Sequence, residues 1–347
     1  MAIPLPIRVQ AGAAQLLFWL PRPLRRLIAG KPVRLDGQEL ALDAQLLLRL
    51  QKLSGAGLVS GTVEQSRAGM TSSTVLVAGK PDATISTREI TIPGDGADIP
   101  ATLYTPDGLP EPSGLLVFYH GGGWVLGNRA SHDVLCRFLA FHAGVRVLSV
   151  EYRLAPEHVF PAAADDALAA FDHAHDKASE LGADPARIAV GGDSAGGNLA
   201  AVTSLVAAKR GGPAPAFQLL LYPATDFSTR RRSRELFGED LFLTDKDMTW
   251  FENHYVAKGF DKTDPRLSPL CAEDLSGLPP AYIVTAGFDP LRDEGEAYAQ
   301  RLKEAGVVTA LSRQSDLVHG FASFLGIGRR FREATAEAAG ALRLGLS

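Results

Sequence analysis

A single serine occupies an unusually glycine-rich stretch of the chain, VGGDSAGGNL at residues 190–199. Ser194 lies between Gly192 and Gly196 in the pattern G-x-S-x-G, after the apolar run RIAV and before an alanine-rich run. A serine in this pattern sits on a tight turn between a strand and a helix, and the glycines relieve the crowding of that turn. The pattern predicts a nucleophilic hydroxyl that faces a cleft. A glycine-rich loop that only caps a helix is the alternative.

A second glycine cluster, HGGGW, follows the apolar run GLLVFY and occupies residues 120–124. A phosphate-binding loop is disfavoured, because no Gly-Lys-Ser/Thr follows and no helix starts at once. The backbone N–H groups of Gly122 and Gly123, together with that of Ala195, suit an oxyanion hole, which stabilises negative charge developing on a substrate oxygen. We expect His120 to hold this loop through hydrogen bonds and not to act as an acid or base.

A nucleophilic serine needs a general base, and the chain contains eight histidines. Four of them lie in predicted helices, where a histidine usually packs or meets solvent. These are His132, His142, His173 and His175. His158 precedes the proposed serine, and His254 belongs to an aromatic helical stretch. His319, in SDLVHGF, follows the last predicted strand and precedes a glycine, so it is the strongest candidate for the base.

Three aspartates compete for the role of the acid that orients the imidazole. Asp289 follows the apolar run AYIVTAG within two residues and directly precedes a helix. Asp293 lies one turn farther along that helix, where a carboxylate also interacts favourably with the helix dipole. Asp226 ends another predicted strand and preserves the order serine, acid, histidine. Asp289 is favoured because the next strand brings His319 alongside it, although these residues alone leave Asp226 open.

From about residue 87, short apolar runs alternate with helix-like segments. The stretch TREITIPGDGADIPATLYTP predicts two strands joined at GDG. Six further runs predict buried strands: GLLVFY, VRVLSV, RIAV, AFQLLLY, AYIVTA and VVTALS. This alternation predicts an α/β fold, a mostly parallel central sheet with helices on both faces. Ligands bind beyond the carboxyl ends of such strands, where Ser194 and His319 are expected.

Two regions stand outside the alternation and are predicted to form a helical cap over the strand ends. The first covers residues 1–60, and the second, residues 224–268, is inserted in the catalytic domain, 61–347. In the second region Thr244 is positioned to cap a helix. Met248, Phe251 and Tyr255 share one face of that helix, which either seals the cap onto the body or lines a substrate pocket. Trp124 is a further candidate for substrate contact.

Composition excludes several classes of protein. Apolar residues make up 46% of the 347 residues and the formal net charge is −4, so the chain has no electrostatic footprint for binding nucleic acid. Only two cysteines occur, Cys136 and Cys271, and neither belongs to a CxxC pair. A disulfide framework and a thiolate metal site are therefore disfavoured, and a cytoplasmic location is expected.

The N-terminal segment superficially resembles a targeting signal. Its basic residues follow the apolar stretch, and the stretch ends at Pro21, which argues against both a signal peptide and a membrane-spanning anchor. Apolar residues recur here at helical spacing: Leu17, Leu20, Leu24, Leu27 and Ile28. This spacing favours a short helix packed on the body of the protein over a helix in weak contact with a lipid surface.

Five motifs, in this order, resemble the hormone-sensitive-lipase-like family of α/β-hydrolase esterases. They are HGGGW, YRLAPEHVFPAA, GDSAGG, DPLRDEG and VHGF, and the resemblance extends from about residue 90 to the C-terminus. It implies a catalytic triad of Ser194, Asp289 and His319. It also implies an oxyanion hole formed by the amides of Gly122, Gly123 and Ala195. It disfavours Asp226 as the acid. It also implies that Arg153 and Glu157 are structural supports and is compatible with a homodimer.

The predicted function is hydrolysis of short- to medium-chain esters of small molecules through an acyl-enzyme intermediate. The same triad would serve an amidase or a lactonase. A non-catalytic small-molecule receptor on the same fold is a further alternative, against which the presence of His319 argues. No cofactor and no metal ion are expected, because the serine chemistry is complete without them.

Overall fold

The structure is a computed structural model that describes residues 15–55 and 57–347, with the side chain of Val75 excepted. The predicted N-terminal cap segment is therefore described from residue 15 onward. Its residues 1–14 and residue 56 lie outside the described residues.

Eight strands form the central sheet, in the order β10-β9-β8-β7-β5-β6-β4-β3. Their bounds are β3 (Ile85–Ile92), β4 (Ile99–Pro106), β5 (Ser113–Tyr119), β6 (Arg146–Val150), β7 (Ala183–Asp193), β8 (Phe217–Leu221), β9 (Ala281–Phe288) and β10 (Thr309–Val318). A separate antiparallel pair consists of β1 (Arg34–Leu35) and β2 (Gln38–Glu39). Within the large sheet β4 runs antiparallel to β3 and β6, and all other neighbours are parallel. The predicted mostly parallel sheet and the predicted hairpin are confirmed.

Ten helices have these bounds: α1 (Arg22–Ala29), α2 (Leu42–Ser54), α3 (Val63–Val77), α4 (Asp133–Ala143), α5 (Ala162–Asp176), α6 (Ala195–Lys209), α7 (Arg232–Phe237), α8 (Asp245–Tyr255), α9 (Arg292–Glu304) and α10 (Arg329–Gly345). Residues 15–19 are also helical. None of the helices in these described parts of the chain is long and apolar enough to cross a bilayer. Five of the ten, α4, α5, α6, α9 and α10, follow the helical segments expected from the alternating pattern.

The helices cover the sheet on both faces, and the side chains of β5 show why the strand must be apolar throughout. Leu115, Val117 and Tyr119 belong to the hydrophobic core that also contains residues of α5, α6 and α9. Leu116 and Phe118 point into the opposite core, which contains residues of α4 and α10. Because successive side chains of a strand face opposite sides, a strand buried on both faces has no polar positions.

The N-terminal segment departs from the predicted packing. Residues 15–19 are helical, and α1 begins at Arg22. Pro21 separates the two, because it lacks the N–H that a helix interior needs. Leu24 and Leu27, expected to pack on the body, are exposed, whereas Ala29 is buried. The prediction that the apolar residues of this helix pack on the body of the protein is therefore wrong for these two leucines.

Candidate active site

Ser194 lies on the turn between β7 and α6, with φ of 56° and ψ of −116°. This backbone conformation is uncommon for a residue with a side chain and is typical of functional turns. A Cβ atom at Gly196 would lie 1.8 Å from the carbonyl oxygen of Tyr119, and one at Gly192 would lie 2.4 Å from the same oxygen. The turn approaches β5 so closely that only glycine fits on either side of the serine, which is the reason inferred from the sequence.

Ser194, His319 and Asp289 form one hydrogen-bonded chain. Nε2 of His319 lies 2.9 Å from Oγ of Ser194, and its Nδ1 lies 2.8 Å from Oδ2 of Asp289. The N–H of Leu291 donates to the other carboxylate oxygen of Asp289 at 2.8 Å, and Tyr222 packs edge-on against the imidazole. The three residues follow β7, β9 and β10 directly, and the parallel sheet brings the carboxyl ends of these strands to one edge.

The two competing aspartates are engaged elsewhere. Asp226 accepts hydrogen bonds from the backbone and hydroxyl of Ser228 and from Arg231. Asp293 accepts a hydrogen bond from the N–H of Ser233 at 2.8 Å and another from the guanidinium of Arg292. Neither carboxylate contacts the imidazole of His319, so the structure places Asp289 alone of the three candidates beside it.

The predicted oxyanion-hole amides have their N–H groups available. Within residues 15–55 and 57–347, no acceptor bonds the backbone N–H of Gly122, Gly123 or Ala195. Gly122 and Gly123 have φ of 122° and 61°, a region that favours glycine, and they line the same cavity as Ser194. The N–H of Gly121 donates instead to Asp193 at 2.8 Å. The arrangement suits three donors directed at one developing charge.

A buried polar cluster supports the loop that carries these glycines. Oδ1 of Asp193 lies 3.2 Å from Nε2 of His132, and Nδ1 of His132 lies 2.9 Å from the hydroxyl of Ser131. Burial disfavours the charged imidazole and so lowers the pKa of His132. The attraction of the Asp193 carboxylate is stronger than this effect, so the pKa of His132 lies above its ordinary value. Burial likewise opposes ionisation of Asp193, but the charge on His132 lowers the pKa of this carboxyl.

His120 is held as the sequence predicts. Its ring stacks on Tyr152, whose hydroxyl donates to the carbonyl of His120 at 2.6 Å. Complete burial, together with the neighbouring charge on His132, lowers the pKa of His120 to about 4. His120 is therefore neutral at ordinary pH.

A cavity of about 410 Å³ opens above Ser194, and three of the four predicted pocket residues line it. Trp124 lines its wall at the glycine loop, and Met248 and Phe251 extend from α8. Tyr255 does not line it: it is 1% exposed and its ring stacks on Trp124 with the ring centroids 4.6 Å apart. The prediction that Tyr255 lines the pocket is therefore wrong, because the ring of Trp124 covers that of Tyr255.

The residues assigned to structural support make ion pairs away from the serine. Arg153 bonds the buried carboxylate of Asp166 through its backbone N–H and its guanidinium. Glu157 pairs with Arg67 of α3, and the charged hydrogen bond with Arg67 lowers the pKa of Glu157 to about 2. Arg67 also donates to the backbone carbonyls of Val125 and Ala155, so it ties α3 to the loops beside the oxyanion hole.

Glu294 was not singled out from the sequence. It lines the cavity at 5% exposure, and its Oε1 accepts the N–H groups of Thr225 and Asp226, at 2.7 and 3.3 Å. Burial, with a contribution from the nearby charge of Asp226, raises the pKa of Glu294 to about 8. Two consecutive acids in the first turn of a helix suggest only a favourable dipole interaction, so the sequence contains no sign that one is buried.

The described residues contain no group of three or more histidine, cysteine, aspartate or glutamate side chains that could hold a metal ion.

Comparison with known proteins identifies the family. A family model described as the alpha/beta hydrolase fold matches residues 116–323. The carboxylic ester hydrolase LipN of Mycobacterium tuberculosis is 47% identical over 342 residues, which are 96% of this chain and 90% of LipN. The ethyl acetate hydrolase of Pseudomonas putida is 39% identical over 81% of this chain and 92% of its own length.

A solved structure gives the same result. The ester hydrolase EH1AB1 from the metagenome of Lake Arreo, in complex with a derivative of bipyridine phosphonate, superposes with a TM-score of 0.85 at 42% identity and covers 88% of this chain and 98% of its own. The strand-end serine, the sheet order and these relatives agree, and the chain belongs to the hormone-sensitive-lipase-like family of α/β-hydrolase carboxylesterases.

Proposed function

We propose that the protein is a serine carboxylesterase in which Ser194 is the nucleophile, His319 the general base and Asp289 the residue that orients the base. The observation that carries the proposal is the hydrogen-bonded chain from the serine hydroxyl through the imidazole to a fully buried carboxylate. The names of the relatives as carboxylic ester and ethyl acetate hydrolases support esters as the substrate class.

Acylation begins when Nε2 of His319 takes the proton of the Ser194 hydroxyl, across 2.9 Å, as Oγ attacks the ester carbonyl carbon. The carbonyl electrons move onto oxygen, and the amides of Gly122, Gly123 and Ala195 stabilise that charge. The imidazolium then gives its proton to the leaving alcohol as the C–O bond breaks. Water repeats the sequence on the acyl-enzyme and releases the acid.

Asp289 acts on the imidazole and not on the substrate. Its Oδ2 accepts the Nδ1–H of His319, which fixes the tautomer with a free lone pair on Nε2 and stabilises the imidazolium that forms. The bond from the N–H of Leu291 holds the carboxylate in place.

We propose that the cap consists of residues 1–60 and 224–268 and that it also includes α3, because Met70 and Val77 of that helix line the cavity. The cavity walls above the serine are mainly apolar, with Leu47 and Leu50 of α2 facing it. Such walls suit short to medium acyl chains. A covered site of about 410 Å³ disfavours long-chain lipids.

The rival activities use the same groups. An amidase or lactonase would share the triad and differ in the leaving group, whereas a receptor would not turn over a substrate. The hydrogen bond from Ser194 to His319 supports catalysis over a receptor role. A cytoplasmic location and a homodimer stay predictions.

The test is a series of p-nitrophenyl esters from acetate to palmitate, with a p-nitroanilide as the matched amide. We expect the highest kcat/KM at short or medium chain length and much slower amide cleavage. An organophosphate should label wild-type protein on Ser194 and leave Ser194→Ala unmodified. Faster turnover of emulsified long-chain triglyceride than of the butyrate ester would contradict the proposed chain length, and labelling elsewhere would contradict the proposed nucleophile.

A further inference from the structure

Four large apolar side chains near the N-terminus are exposed to solvent. Leu16 is 68% exposed, Trp19 82%, Leu24 47% and Leu27 79%. We call these four residues the N-terminal patch. Scattered exposed apolar residues are normal, but four within a stretch of twelve positions, including a tryptophan, are a feature that an interaction surface explains.

The charged residues within the segment that carries the patch are all positive. Residues 15–35 contain five arginines and lysines and no acid, in a chain whose net charge is −4. Arg25 pairs with Asp43, and Arg34 pairs with Glu39. The other three cations are Arg22, Arg26 and Lys31, and no carboxylate of the described residues pairs with them.

The patch adjoins the wall of the active-site cavity. Leu17 and Phe18, which lie between two patch residues in sequence, line the cavity that contains Ser194. Helix α1 packs against α2, and Leu50 of α2 lines the same cavity. One short segment therefore presents some side chains to solvent and others to the substrate site.

We propose that the N-terminal patch docks the protein on an anionic phospholipid surface, so that esters dissolved there enter the cavity past Leu17 and Phe18. Exposed leucine and tryptophan side chains bury well at the boundary between headgroups and acyl chains, and neighbouring arginine and lysine bind anionic headgroups. Docking itself does not depend on the proposed function, whereas the delivery of esters rests on it.

Charge favours a lipid surface over a second copy of the chain as the occupant of this face. A symmetric dimer would bring the same patch of both copies together, and the unpaired cations around it would repel each other. Anionic headgroups neutralise these cations.

The test is flotation of the full-length protein with vesicles of phosphatidylcholine alone and of phosphatidylcholine with about 30% phosphatidylglycerol, which supplies the anionic surface. We expect binding to the anionic vesicles to be at least about 10-fold stronger than binding to phosphatidylcholine alone, and to weaken at about 0.5 M salt, because salt screens exposed charges.

The variant Trp19→Ser/Leu27→Ser should bind the anionic vesicles about 10-fold or more weakly, since both side chains insert into the lipid surface. The matched control Leu344→Ser changes a leucine that is 74% exposed on α10 and should bind like wild type.

A second variant, Arg22→Gln/Lys31→Gln, should lose the preference for anionic vesicles. Hydrolysis of soluble p-nitrophenyl butyrate should be unchanged in every variant, which shows that each is folded. Equal binding of wild type and both patch variants would overturn the proposal. A change of oligomeric size in the patch variants without lipid would also overturn it and assign the face to a dimer. Absence of esterase activity in wild type would contradict the proposed function and leave the vesicle result intact.

Discussion

At the scale of single residues, the oxyanion loop depends on a charge pair that does not touch the substrate. The carboxylate of Asp193 holds the N–H of Gly121, and the imidazole of His132 neutralises that carboxylate. Both ring nitrogens of His132 have acceptors, Asp193 on one side and the hydroxyl of Ser131 on the other, which suits the protonated form. His132 is therefore a positioning residue for the amides of Gly122 and Gly123.

We predict that His132→Gln lowers kcat by about 10-fold or more and changes KM little, because small displacements of groups that stabilise the transition state cost rate. The raised pKa of His132 gives the sign of the pH effect: its contribution is full while the ring is protonated and is lost as pH rises through that pKa. Wild type should therefore lose kcat on the alkaline side, and the variant should lack this decline.

The matched control is His158→Gln, which changes an exposed histidine outside the active-site cavity. Steady-state kinetics between pH 5 and 10, with a phosphonate inhibitor as a mimic of the tetrahedral intermediate, measure both effects. An unchanged kcat and an unchanged alkaline limb in His132→Gln would show that the loop keeps its geometry without the charge pair.

At the scale of elements, α8 carries Met248 and Phe251 to the cavity, and its start is fixed by a reciprocal cap. The hydroxyl of Thr244 accepts the N–H of Asp247, and the carboxylate of Asp247 accepts the N–H of Thr244. This arrangement satisfies two N–H groups that a helix terminus otherwise leaves unbonded. The prediction of this cap from the sequence is confirmed.

Thr244→Ala should reduce the free energy of unfolding by about 1 kcal/mol, the usual cost of losing an N-cap side chain. A looser α8 should also raise KM for the longer esters of the series, since Phe251 lies against Gly123 at the oxyanion loop. Denaturant unfolding and ester kinetics give the two readouts.

Thr249→Ala is the control in the same helix, because Thr249 is exposed, lies beyond the cap and accepts only a solvent-exposed hydrogen bond from Arg234, at 3.2 Å. Alanine favours the helix interior, so this change should leave stability equal or slightly higher. Equal destabilisation by both substitutions would argue against the cap as the cause.

At the scale of the whole molecule, Glu294 joins α9 to the loop after β8 and couples stability to pH. Its ordinary pKa of 4.5 is raised to about 8 by burial. Between these two values the folded protein keeps a proton that the unfolded chain has lost, so this residue makes stability fall as pH rises.

Glu294→Gln should therefore stabilise the protein on the alkaline side. The glutamine carbonyl still accepts the N–H of Thr225 but carries no charge into the buried site. We expect no large change near pH 5 and a gain of about 1–3 kcal/mol near pH 8, measured by denaturant unfolding. Glu239→Gln, at an exposed position, should show no pH-dependent gain. A gain of equal size at both pH values would rule out titration of Glu294 as its source.

The sequence by itself determined the succession of strands along the chain and the serine turn, and it predicted Ser194 and His319 of the proposed triad. These features depend on local chemistry: the turn at Ser194 requires glycine neighbours, buried strands are apolar throughout, and histidine and aspartate follow strands whose ends must meet in a parallel sheet. Each of these requirements can be recognised from residues that are adjacent in the sequence.

Only the tertiary structure decided which acid faces His319, that Tyr255 lies behind Trp124, and that Leu24 and Leu27 are exposed. It also brought Glu294 into the cavity wall. These outcomes depend on contacts between segments far apart along the chain. A residue type and its neighbours do not specify which distant side chain occupies the adjacent space, and burial and pKa both follow from that occupant.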